Sequence, residues 1–237
     1  MDSYNASRHS LHRVAVHVVA RARVESSGRF SLRVAPGGFA TPDLAPDGRR
    51  VRVSGSHLVV ESDAMDAPSA RSMAIHGRSL AELAAFAGVD LDESLDVGHD
   101  TPPVGAPDEP IELDPVNAAE LTSWFGVVAA VLDRVLGELP ESALATLPRL
   151  WPEHFDVAVE AQAHPNRRVN LGGSPGDSFS GEPYLYVGPW TADRPGTDGF
   201  WNAAFGASRT RSELAADGAD AVAAGAAFLL DGFRRLH

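Results

Sequence analysis

The chain has 237 residues, 44% of them apolar and 22% charged, with a net charge of −12. It contains no cysteine, and all twenty basic residues are arginine. This composition excludes thiolate nucleophiles, disulfides, Fe–S clusters, cysteine-zinc sites, pyridoxal phosphate held by a lysine, and a P-loop nucleotide site.

In chain order, residues 12–24 alternate Val14, Val16, Val18, Ala20, Ala22 and Val24 with Arg13, His17, Arg21 and Arg23, which predicts a half-buried strand. Ser26-Ser27-Gly28 reads as a turn into a second, antiparallel strand through Phe30, Leu32 and Val34. Residues 49–53 and 57–61 form a hairpin across Ser54-Gly55-Ser56, and Ser72–His76 adds a strand. Ser79-Leu80-Ala81-Glu82 matches a capping box opening a short helix that Gly88 ends. Residues 90–114 carry nine acids and four prolines and read as an exposed linker or lid. Asp114-Pro115 starts a long helix over 116–136. Strands follow at 154–161, 167–172 and 184–188, and an Ala-rich helix over 214–236 closes the chain.

This order predicts an α+β fold, an antiparallel sheet of about six to eight strands covered by helices that include the long central one and the C-terminal one. The expected organisation is a β-rich half with a short helix (1–89), an acidic Pro-rich linker (90–114) and a helix–strand–helix half (115–237), joined in one compact unit. Residues 12–42 and 153–183 share a strand–turn–strand–Gly/Pro pattern that suggests two pseudo-repeats in one sheet.

Residues 1–52 hold nine arginines against four acids, and the remainder eleven against twenty-eight. The N-terminal arginines Arg13, Arg21, Arg23, Arg29 and Arg33 would form a basic sheet face. That face interleaves no aromatics, so a solvated surface or one neutralised by the acidic 90–114 segment is preferred over nucleic acid. No run of eighteen apolar residues marks a membrane span, and MDSYNASRHSLHR lacks the apolar stretch of a signal peptide. A cytoplasmic, bacterial protein is the expectation, with oligomeric state left open.

Nine of the seventeen aromatics fall between residues 150 and 205, among glycines and acids. His154, Asp156 and Glu160 alternate and are expected on one strand face, where Asp177 and Glu182 could converge from the following loop. One imidazole with several carboxylates can bind a polar ligand, hold a divalent metal (His154 and Asp156 first) or work as an acid–base pair; the plainer alternative is bracing between strands. Tyr184 and Tyr186 share a face, and with Trp190 near Arg167 and Arg168 could stack a ligand or cover the core. Ser174 lies in GGSPG, a formal match to a nucleophile elbow. Pro175 cannot supply the required oxyanion N–H and the segment leads into a strand, so a Gly/Pro turn is the better reading.

LWPEHFD, NLGGSPGDSFSGEPYLYVGPW and FWNAAFGA resemble a bacterial protein family of unknown function with WPxHFD and SPGD…EPYxYxxPW strings, over about residues 148–236. The resemblance brings no activity. It implies that His154, Asp156, Ser174, Asp177, Glu182, Tyr184 and Trp190 form one site or one structural knot. The leading expectation is a small-ligand-binding domain with a pocket lined by residues 150–205. The alternatives are a metal-dependent or acid–base hydrolase using the same residues, and an interaction or structural module with an Arg-rich sheet face.

Overall fold

The structure, a computed structural model, describes residues 3–62, 69–91, 95, 97–98, 100–196, 199–216 and 220–237. The chain is α+β, and its described residues form two five-stranded antiparallel sheets and several helices. One sheet runs in sequence order through β1 (Arg33–Ala35), β2 (Gly38–Ala40), β3 (Arg50–Ser54), β4 (His57–Ser62) and β5 (Ser69–Ala74). The other contains β6 (Arg149–Trp151), β7 (Asp156–His164), β8 (Arg167–Ser174), β9 (Tyr184–Pro189) and β10 (Ala207–Thr210), in the order β10-β9-β8-β7-β6. The chain packs as two compact units, Met1–Gly126 with Leu150–Phe155, and Val127–Arg149 with Asp156–His237. The division falls inside the long helix rather than in the 90–114 stretch.

In the first unit the predicted strand at 12–24 is a helix instead: α1 (Ser3–Val14), a π-helical segment (Ala15–Ala20) and α2 (Arg21–Ser27). Leu11, Val14, Ala15, Val18, Val19 and Ala22 are spaced three and four apart and all buried, which is a helical stripe. Every residue from Ala15 to Ala20 is buried, so a helix sealed on all sides also satisfies a period of two. Gly28, with φ +67°, is the left-handed cap of α2 rather than a hairpin turn. The proposed pseudo-repeat therefore pairs a helix with a strand and does not exist in the fold.

The basic sheet face disappears with that strand. Arg21 is buried, and Arg13 donates to the Val104 and Ala106 carbonyls. Arg33 and Arg50 both reach Asp43 at 3.6 Å, while Arg52 pairs with Glu61 at 2.8 Å.

The β3–β4 hairpin forms as predicted, with Val53 opposite Leu58. Leu32 pairs as an isolated bridge with Leu150. The capping box is present at α3 (Leu80–Ala87), where Ser79 and Glu82 exchange bonds and Gly88 adopts the left-handed cap. The described part of 90–114 forms no helix or strand and is largely exposed, with a few residues anchored in the first unit. Ile111 and Leu113 are buried, and the Pro102 carbonyl bonds the imidazole of His17. Phe39, Phe125 and Phe155 meet edge to face at 5.2–6.1 Å in the core of this unit.

Asp114 caps α4 (Pro115–Glu138), its Oδ1 accepting from the N–H groups of Val116 and Asn117. By length and composition α4 could cross a membrane. Its stripe of Ala118, Leu121, Phe125, Val128, Leu132 and Val135 is buried in the protein.

The second unit is a meander from β7 to β10. Val157, Val159, Leu171, Gly173, Leu185 and Val187 share one face, which the end of α4 and α6 (Ala221–Leu236) cover. Glycines set the approach: a Cβ at Gly173 would lie 2.6 Å from Val128, and one at Gly225 2.7 Å from Leu185. The predicted C-terminal helix is two helices. Thr210 and Glu213 form a reciprocal cap for α5 (Arg211–Ala216), and Asp220 caps α6. Residues 217–219 lie outside the described residues.

Candidate functional site

The opposite face of the second unit's sheet carries Asp156 and Glu160 on β7, Asn170, Gly172 and Ser174 on β8, and Tyr184 and Tyr186 on β9. Side chains alternate along each strand, and the register places Gly172 between Ala158 and Tyr186. A Cβ at 172 would sit 2.8 Å from the Tyr186 ring carbon and hydroxyl, and 2.6 Å from the Val157 carbonyl. The glycine leaves a notch across which Tyr186 lies to donate its hydroxyl to Asp156 Oδ2. Beside it, Tyr184 donates to Asp177 Oδ2 at 2.6 Å. Asp177 Oδ1 accepts from the N–H groups of Phe179 and Ser180, which fixes the loop after β8 as an Asx turn. Ser174 Oγ accepts from Gly176 N–H, and the same hydroxyl bonds Tyr184.

Burial first, and then the neighbouring carboxylate, raise the pKa of both tyrosines far above the ordinary phenol value. The phenols stay neutral donors and cannot serve as bases. Phe179 and Phe205 complete the cluster. Their rings meet at 4.9 Å, and each lies 5.4–6.4 Å from Tyr184.

Of the nine residues singled out in the sequence, Asp156, Ser174, Asp177, Tyr184 and Tyr186 come together here. Glu160 lies on the same sheet face but outside this cluster, and His154, Glu182 and Trp190 lie outside it as well. His154 does not share the β7 face, because β7 begins at Asp156 and Phe155 takes a left-handed φ of +55° that interrupts the alternation. It belongs to the first unit, exposed, with Nδ1 2.8 Å from Asp100 Oδ2. Glu160 is ion-paired with Arg168. Glu182 is engaged by the Ser212 hydroxyl and N–H. Trp190 is stacked under the Arg168 guanidinium at 4.1 Å and donates its indole N–H to Asn170. Among the described residues no three His, Asp or Glu side chains gather as a metal-binding group.

Sequence reasoning missed a second locus on the helix side of the same unit. A cleft of about 680 Å³ lies between the 199–202 loop, β10, α5 and α6. Phe200 and Phe228, with ring centroids 5.4 Å apart, form its apolar wall, and Asn202, Ser208, Arg209, Glu213 and Asp231 its polar edge. Asn202 is held rigidly, its amide bridging the N–H and carbonyl of Ser208. Asp231 bonds Arg235 at 3.0 Å, and Arg235 in turn covers Phe200 at 4.4 Å. Only the Phe-Trp-Asn run at 200–202 hinted at this wall, because α6 reads as a plain amphipathic helix.

Fold and site together define an α+β protein whose second unit carries an aromatic–carboxylate cluster on one sheet face and an aromatic-walled cleft on the other. No family model, no curated protein and no solved structure matches the chain.

Proposed function

We propose that the chain is a small-ligand-binding protein and that the cleft of the second unit receives the ligand. The observation that carries this is the cleft itself. Its volume of about 680 Å³ falls within the ~300–1,000 Å³ typical of small-molecule sites, and two phenyl rings face a short arc of fixed polar groups. Such a lining suits a compact organic molecule with an apolar body and a polar edge. Part of the wall comes from the 150–205 segment, through Phe200 and Asn202.

The test is thermal unfolding with a set of small aromatic compounds at millimolar concentration, comparing the wild type with Ala227→Trp. Ala227 lies exposed on α6 at the cleft, so an indole there fills the space without entering the core. Compounds that raise the wild-type midpoint should lose that effect in the variant. If none raises it, or if the variant responds as the wild type does, the cleft is not a binding site.

A further inference from the structure

We infer that the ring cluster on the opposite sheet face is a second site, specific for a small organic ammonium cation. Phe179 and Phe205 are 49% and 36% exposed, with their rings in mutual contact at 4.9 Å. Beneath them Tyr184 is almost fully buried, and Tyr186 lies 6.3 Å from both Tyr184 and Phe205. Two exposed phenyl rings therefore stand against one buried and one half-buried phenol ring.

The charge behind those rings selects the occupant. Asp177 and Asp156 each accept a tyrosine hydroxyl, and both carboxylates act on both phenols. A phenol that donates to a carboxylate gains electron density in its ring, which strengthens the negative face that attracts cations. Asp177 is held by two amides and one phenol, with no guanidinium among its bonded partners. The guanidinium of Arg194 bonds the Thr191, Asp193 and Phe205 carbonyls and lies 5.6 Å over Trp201. An anion would meet two carboxylates here, and a bare metal ion would meet phenyl carbons where it needs oxygen. An alkylammonium group satisfies both halves, with apolar methyls against the rings and positive charge toward the carboxylates.

The probes are choline and its neutral isostere 3,3-dimethyl-1-butanol, titrated into the whole protein and followed by the aromatic ring proton resonances. Choline should saturate, with the shifts confined to the cluster, and the isostere should bind at least tenfold more weakly. Phe179→Ala, at an exposed position, and Asp177→Asn, which keeps an acceptor for Tyr184, should each weaken choline at least fivefold while unfolding near the wild-type midpoint. Equal binding of the two probes, or choline binding unchanged in both variants, overturns the proposal. Absence of any shift at tens of millimolar choline does the same. Ala227→Trp should leave choline binding intact, which separates this site from the cleft.

Discussion

Gly172 shows how a single missing side chain organises the tyrosine–aspartate pairing. The Tyr186 ring crosses β8 at this residue, and a methyl group there would collide with both that ring and the Val157 carbonyl. The ring can move, but the carbonyl is part of the β7–β8 ladder and cannot move without breaking it. Gly172→Ala should therefore destabilise the protein by about 1–3 kcal/mol, the range of an overpacked core, and displace Tyr186 from Asp156. Urea unfolding gives the first quantity, and near-ultraviolet circular dichroism of the tyrosines follows the second. An unchanged midpoint would mean that the notch is not needed. The Gly-Gly pair was visible in the sequence, but not its use, because register decides which side chain meets a glycine.

At the scale of elements, glycines in helices separate propensity from packing. Glycine in a helix interior costs about 1 kcal/mol relative to alanine, so replacement should stabilise wherever space allows. Gly126 in α4 has nothing within 4 Å of an added Cβ, whereas at Gly232 in α6 that atom would lie 2.6 and 2.8 Å from the two methyls of buried Val187. Gly126→Ala should gain up to about 1 kcal/mol and Gly232→Ala should lose about 1–3 kcal/mol, measured by urea unfolding. Equal effects would show that α6 does not pack as tightly as described. Helix ends were legible for a related reason: the Ser79–Glu82 box and the Asp114-Pro115 start act through neighbouring residues alone. The first helix was misread because Ala15–Ala20 is buried on every side, and burial all round erases the period that tells helix from strand.

For the whole molecule, three histidines of the first unit with lowered pKa contribute to the response to acid. His12 stacks on Phe155 with centroids 5.0 Å apart and bonds the Pro152 carbonyl through Nε2; burial, only partly offset by the Pro152 and Glu153 carbonyls, lowers its pKa to about 4. Burial lowers His17 as well, and its Pro102 carbonyl bond opposes this, with Arg21 and Arg13 adding repulsion. His9, although exposed, is lowered by partial desolvation and then by Arg13 and Arg8. A folded pKa below the unfolded value of 6.5 means that the unfolded chain takes up protons first as pH falls. Stability is therefore flat with respect to these groups above about pH 7 and declines from about pH 6.5 toward pH 4. At ~1.4 kcal/mol per pH unit, His12 alone accounts for about 2 kcal/mol between pH 7 and pH 5. Urea unfolding across that range should show a loss of at least this size, reduced by about 2 kcal/mol in His12→Gln. Parallel pH profiles for the two proteins would rule out His12 as the cause.

The sequence by itself determined the α+β class, the antiparallel hairpins at 50–62 and 156–174, the long capped helix and the concentration of aromatics and acids after residue 150. These follow from period, caps and turns, which are properties of adjacent residues. Only the tertiary structure decided that the strands divide between two sheets, that His154 stands with Asp100 while Asp156 stands with Tyr186, and that Phe228 and Arg209 line a cleft. Those outcomes depend on which strand pairs with which and on one left-handed residue, Phe155, turning the chain before β7. Pairing and burial are set by contacts between distant residues, so no local pattern contains them.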